Sequence, residues 1–124
     1  MAYQTVRHGQ PATFDACLTR DEPPTGDCPV EFTVAVLRGR WTPLVLAEFF
    51  RHGERGYAEL ATALCTISDK VLSERLEQLT RAGILAKNRT AAWPPRVRYT
   101  LTDRGDELRP VVEAMWSWGA RHGW

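Results

Sequence analysis

The sequence predicts a mainly α domain with one small β-hairpin, an α+β class in which helices supply the core and the hairpin projects from it. Apolar residues recur at helical spacing in several separated segments. Gly and Pro fall between those segments as stops and starts. One pair of extended runs, residues 84–90 and 96–102, flanks an Ala-Ala-Trp-Pro-Pro stretch. With 124 residues, 44% of them apolar, the chain can bury one core, and its composition excludes collagen-like, disulfide-dense and disordered classes. Residues 1–27 read as a polar arm, partly flexible, with two Arg against four acids. Residues 28–124 read as the folded domain.

In order along the chain, one short helix is expected after Thr13 among the arm's apolar residues Val6, Phe14, Cys17 and Leu18, without a long amphipathic period. The first domain helix starts at Cys28-Pro29, since proline in the first turn needs no N–H, and runs to about Leu37 before Gly39 stops it. Thr42-Pro43 restarts a second helix that Gly53 closes. A short extended piece, Arg55 to Tyr57, precedes a third helix from Ala58 to Leu64. Cys65-Thr66-Ile67 breaks it, and Ser68 caps a fourth helix ending near Arg81 or Ala82 at Gly83. The two extended runs follow, with Val97, Tyr99 and Leu101 alternating against Arg96, Arg98 and Thr100 as one apolar and one basic face. Thr102 caps a final helix that Pro110 is expected to kink. Helix, turn and capped helix followed by a hairpin make a winged helix-turn-helix, with additional helices at its N- and C-terminal ends.

The net charge of +1 says nothing about partners as a total, although 14 of the 16 cations are Arg, which favours planar anions. Its distribution says more. From Arg81 to Arg98 there are five cations, Arg81, Lys87, Arg89, Arg96 and Arg98, and no acid. One or two would protect an edge strand; five point to double-stranded DNA, whose backbone or narrow minor groove attracts guanidinium. On the fourth helix Val71, Leu72, Leu76 and Leu79 face the core. Ser68, Asp69, Lys70, Ser73 and Glu74 then lie where a recognition helix meets phosphates and base edges. Arg75 flanks the apolar stripe, placed to bridge structure or to reach a phosphate sideways. The candidate DNA contacts are therefore Ser68, Lys70, Ser73, Glu74, Arg75, Arg89, Arg96 and Arg98. Glu74 and Glu77 favour the competing reading, a solvated face or a protein-interaction module.

Four motifs carry a resemblance over roughly Cys28 to Gly119: Cys28-Pro29-Val30-Glu31, Leu37-Arg38-Gly39-Arg40-Trp41-Thr42, Ile67 through Leu76, and Pro94 through Thr102. In this order they resemble the HxlR family of bacterial transcriptional regulators. The resemblance implies a winged-helix homodimer that binds an operator, more often as a repressor, with dimer contacts from the N- and C-terminal helices. Here those are Val30 and the stripe Leu108, Val112, Met115, Trp116 and Gly119. Arg38 and Arg40 replace the Gly and Lys frequent in the family, Glu74 stands where many members carry an uncharged or basic residue, and the arm is longer than usual.

Two readings of Cys28 stand side by side. At a helix start the dipole favours a thiolate, and several members of the resembled family sense oxidants or electrophiles with a cysteine here. Equally, it can cap or pack. Cys65 is expected to be a small buried filler and Cys17 an exposed arm residue. Three cysteines without zinc-like spacing imply neither metal nor disulfide framework, and no constellation suggests a cofactor or an enzyme. Trp41, Trp116, Trp118 and Trp124 suggest an aromatic partner interface, and Phe14, Trp41, Phe49 and Trp116 a pocket for a small-molecule effector. No run approaches the roughly 18 apolar residues of a membrane helix, and no signal-peptide order opens the chain, so a cytoplasmic location without membrane partners is expected.

Overall fold

The computed structural model describes residues 28–123. The arm helix expected after Thr13, together with Cys17 and Trp124, lies outside them. The described residues fall into two units, one ending at Arg38 and one starting at Gly39.

The first unit holds α1, Pro29–Val36, entered from Cys28 in extended geometry with proline in the first turn. Phe32 N–H donates to the Cys28 carbonyl at 2.9 Å, and Thr33 Oγ1 donates to the Pro29 carbonyl. Cys28 and Val36 are buried, whereas Val30 and Val34, one turn apart, are about half exposed.

The second unit runs α2 (Thr42–His52), β1 (Glu54–Gly56), α3 (Tyr57–Ala63), α4 (Asp69–Arg81), β2 (Leu85–Arg89), β3 (Val97–Leu101), α5 (Asp103–Asp106) and α6 (Arg109–His122). Val45, Leu46 and Phe49 of α2, Leu60 of α3, and Leu72, Leu76 and Leu79 of α4 are fully buried, so three amphipathic faces meet in one core. Leu64 and Ile67 close it under the turn, and Ile84, Leu85 and Tyr99 close it from the sheet. Gly83 has φ +77, the left-handed geometry that stops α4, and Ile84 N–H returns to the Leu79 carbonyl at 2.9 Å.

The sheet is antiparallel with three strands in the order β1-β3-β2. The extended piece before α3 is thus more than a connector: Glu54, Arg55 and Gly56 pair with Thr100, Tyr99 and Arg98. The hairpin register sets Leu85 opposite Leu101, Lys87 opposite Tyr99 and Arg89 opposite Val97. Directly opposed residues share a face. The cations therefore occupy both faces of the wing, not one: Lys87 and Arg89 stand on the side of Tyr99, Arg96 and Arg98 on the other. Only the base of the expected apolar face is covered by the core. Beyond Tyr99 the hairpin projects, and Lys87, Asn88 and Arg89 are exposed.

The C-terminal end also differs from expectation. Thr102 does cap a helix, accepting from Gly105 N–H at 3.0 Å, but that helix is α5 alone. Pro110 lies in the first turn of α6, where no N–H is required, so it begins a helix and kinks none. Arg109 holds this corner, donating to the Phe50 carbonyl at 3.0 Å and lying 5.0 Å over the Phe50 ring. None of the 14 residues of α6 is buried.

Candidate nucleic-acid interface

The turn from Leu64 to Ser68 joins α3 to α4. Ser68 is the N-cap, its hydroxyl accepting from Val71 N–H at 3.2 Å. That cap fixes which residues face outward: Ser68, Asp69, Lys70, Ser73 and Glu74 are all exposed, opposite the buried Leu72, Leu76 and Leu79. Tyr57, at the first position of α3, reaches across to this end. Its hydroxyl lies 3.3 Å from the Asp69 carbonyl, from Asp69 Oδ1 and from Ser73 Oγ. Sequence reasoning missed Tyr57, because its partners lie 12 and 16 residues away.

Arg75 is turned inward along the surface. Its Nε donates to the Arg40 carbonyl at 2.9 Å, tying α4 to the loop before α2. Gly39, at φ +103, makes room for it, since a Cβ there would sit 2.7 Å from Arg75 Cζ. Trp41 in the same loop has φ +80, unusual for a bulky residue, and Arg40 lies 4.5 Å over its ring.

Arg98 is likewise held within the protein. Its Nε donates to Glu54 Oε1, and its Nη1 pairs with Glu59 Oε1 at 3.1 Å. Glu59 is the third residue of α3 and accepts from the N-cap Gly56 N–H at 2.9 Å, the carboxylate half of a capping box. It also takes Arg55 at 3.0 Å, and Arg55 reaches Glu48 of α2 at 3.8 Å. The network runs from α2 through β1 and α3 to β3. The Gly56 N–H, with Arg55 and Arg98, holds the Glu59 carboxyl below its ordinary value, and its bond to Glu54 first, then Glu59, raises Arg98. Arg81 pairs with Glu77 at 2.7 Å on the exposed face of α4. Of the five hairpin-segment cations, Lys87, Arg89 and Arg96 have no ion pair among the described residues.

Between the outer face of α4, the start of α3 and the wing lies an open groove of about 940 Å³, lined among others by Tyr57, Ser73, Glu77, Lys87, Arg96 and Tyr99. Helix and wing thus present adjoining surfaces to one elongated object. Residues 36–123 match the profile of the HxlR-like helix-turn-helix family.

The chain belongs to the HxlR-like helix-turn-helix family.

This HxlR-like chain is 42% identical over 93 residues to an uncharacterized HTH-type transcriptional regulator, sll1512, of Synechocystis sp., covering 75% of this chain and 68% of that one. Among solved structures it is similar to a MarR-family regulator from Porphyromonas gingivalis W83, with TM-score 0.72 and 29% identity over 82% of this chain and 98% of that one. It is also similar to the redox regulator HypR in its oxidized form, with TM-score 0.69 and 32% identity over 77% and 97% of the two chains. The chain is an HTH-type transcriptional regulator with a winged fold, and its family is one of transcriptional regulators, not of enzymes; the family implies DNA binding.

Other expected features of this HxlR-like chain fall into place or move. Cys28 is the N-cap of α1 but its side chain makes no capping hydrogen bond, and it is 2% exposed. Cys65 is exposed rather than a buried filler, because the turn points Leu64 and Ile67 inward and the residues between them out. Phe49 is sealed in the core while Trp116 is 74% exposed, so the two do not line one pocket. Of the dimer candidates, Val30, Met115 and Trp116 are exposed, and Leu108, Val112 and Gly119 are partly covered. Among the described residues no helix is long and apolar enough to cross a membrane, and no group of His, Cys, Asp or Glu could hold a metal ion.

Proposed function

We propose that the chain is a sequence-specific repressor that binds an inverted-repeat operator in double-stranded DNA as a homodimer, without a cofactor. The observation that supports this most directly is the juxtaposition of the exposed α4 face with a wing whose Lys87, Arg89 and Arg96 have no ion pair among the described residues. Ser68, Lys70, Ser73 and Glu74 enter the major groove, with Glu74 accepting from a cytosine amino group, a base-edge donor that suits a carboxylate among phosphates. Arg89 and Arg96 follow the backbone. Arg75 and Arg98 act as positioning residues, each holding a surface in place through the bonds described above. A two-fold dimer places half-sites about 10 bp apart or at multiples of that spacing. The uncovered apolar residues of α6 form a dimer contact in the second unit, and Val30 of α1 offers a contact of its own in the first.

Binding of the full chain to a duplex selected from a random library, followed by fluorescence anisotropy between 50 and 200 mM salt, tests the reading. With three wing cations per protomer that have no ion pair among the described residues, log K should fall against log salt with a slope of about −5 or steeper. A flat dependence, or no selected sequence, removes it.

A second reading, regulation through thiol chemistry at Cys28, is favoured by its place at the start of α1 and by the similarity to HypR. Its 2% exposure favours a packing role instead. Operator affinity before and after peroxide treatment decides: a change in the parent that Cys28→Ser abolishes supports sensing, and equal affinities leave a ligand-gated or constitutive regulator.

A further inference from the structure

The wing ends in an apolar tip. β2 and β3 stop at the Arg89–Val97 pair, and two hydrogen bonds close the loop beyond it. Thr90 N–H donates to the Arg96 carbonyl at 2.9 Å, and Arg96 N–H donates to Thr90 Oγ1 at 2.9 Å. The loop between them, residues 91–95, carries Trp93 followed by Pro94 and Pro95. Trp93 is 90% exposed, more than any other exposed large apolar side chain among the described residues. Packing in the folded chain does not account for it.

Its setting indicates what covers it. Arg89 and Arg96 flank the loop, and no acid occurs between Glu77 and Asp103. The tip is therefore an indole inside a field that attracts phosphates. Two prolines and the closing bonds restrict the backbone in advance, so little ordering cost falls on a bound state. The indole N–H is a hydrogen-bond donor with no acceptor function. In the minor groove, A·T pairs display only acceptors, whereas G·C pairs add the guanine amino donor. A donor-only ring is satisfied by the first and opposed by the second, and apolar side chains are regularly accommodated in minor grooves.

We infer that Trp93 is a specificity-determining residue that enters the minor groove flanking each half-site and selects A·T over G·C there. This rests on the DNA-binding reading above and adds to it a base preference outside the sequence read by α4.

The test uses the full chain and Trp93→Ala on a selected duplex whose flanking positions are A·T, G·C or inosine·cytosine. The parent should bind the A·T flank about fivefold to tenfold more tightly than the G·C flank, in the range of a single mismatched pair. Inosine·cytosine should behave as A·T, because inosine lacks the minor-groove amino group. Trp93→Ala should bind all three alike while keeping its preference for the central sequence. A flank preference that persists in Trp93→Ala, or is absent in the parent, overturns the inference and leaves the DNA reading intact. A parent that selects no duplex overturns both. Thermal unfolding of the variant should match the parent, as expected for so exposed a side chain.

Discussion

Arg96, just before β3, and Arg98, within it, lie two residues apart on the same side of the wing, yet their surroundings give them different work. Arg96 is exposed with no ion pair among the described residues, whereas Arg98 joins Glu54 and Glu59. Arg96→Ala should therefore reduce the salt slope of operator binding by about 1 per protomer and leave the thermal midpoint unchanged. Arg98→Ala should lower the midpoint and weaken binding with a smaller change in slope, because it takes the Arg98 partner from Glu54, removes one of the partners of Glu59 and loosens β3 from α3. The Glu59 carboxyl offers a check by pH. Its folded-state value is depressed, so its contribution to stability is present above the ordinary glutamate range and is lost as the pH falls through the lowered folded value. Glu59→Gln should flatten that acid limb and leave the neutral plateau nearly as flat as in the parent; an unchanged limb would show that other carboxylates carry it. None of these pairings was visible along the chain, since Arg98 and Glu54 are 44 residues apart, and Arg75 and Arg40 are 35 apart. The residue types and the excess of cations were legible. Which of them fold back onto the protein was decided by tertiary register.

At the scale of elements, what was legible is what local chemistry dictates. Pro29, the Ser68 cap and the Gly83 stop each act within a few residues of themselves, and α1, α2 and α4 stand within about a residue of the expected bounds. β1 was legible as a short extended piece, placed one residue late, but its pairing was not, because three residues, Glu54-Arg55-Gly56, hold no alternation to read; it pairs because β3 offers an edge, with Leu101 N–H donating to the Gly53 carbonyl at 3.0 Å just before it. The α5–α6 corner was misread for a related reason. Apolar periodicity ran through Leu108 without a gap, whereas in the structure Leu108 N–H bonds back three residues to the Gly105 carbonyl at 3.0 Å, a new helix starts at Arg109, and Arg109 binds Phe50. The corner has a measurable consequence. Pro110→Ala should change stability by less than about 1 kcal/mol, since the ring occupies a first-turn position, whereas removal of a kinking proline from a helix interior would stabilise by about 3 kcal/mol. Gly39→Ala should cost about 1–2 kcal/mol or more through its left-handed backbone, with displacement of Arg75 added. Chemical denaturation of both variants measures the contrast.

For the whole molecule the governing fact is that α6 buries none of its residues. A 14-residue helix is marginal in water by its own propensity and draws its stability from a covered apolar face. Here Val111, Met115, Trp116 and Trp118 remain 37%, 49%, 74% and 61% exposed. The corner at Arg109 and Phe50 fixes where the helix starts but covers little beyond its first turn. A second copy related by a two-fold axis would cover the same stripe on both chains at once, which is how an isologous interface arises. The same contact would set the spacing of two wings and two α4 helices, so that oligomeric state and DNA affinity become one measurement. Met115→Glu places a charge in the middle of that stripe. By sedimentation equilibrium the parent should be dimeric and the variant monomeric, and the parent's thermal midpoint should rise with protein concentration while the variant's does not. Affinity for the full inverted repeat should fall by about two orders of magnitude or more, the loss expected when two linked sites become independent, and affinity for a single half-site should stay within about threefold. A variant that remains dimeric with full operator affinity would place the interface elsewhere and leave the exposure of α6 without a partner. A monomeric variant that keeps its affinity for the full repeat would show that one wing and one α4 suffice for recognition.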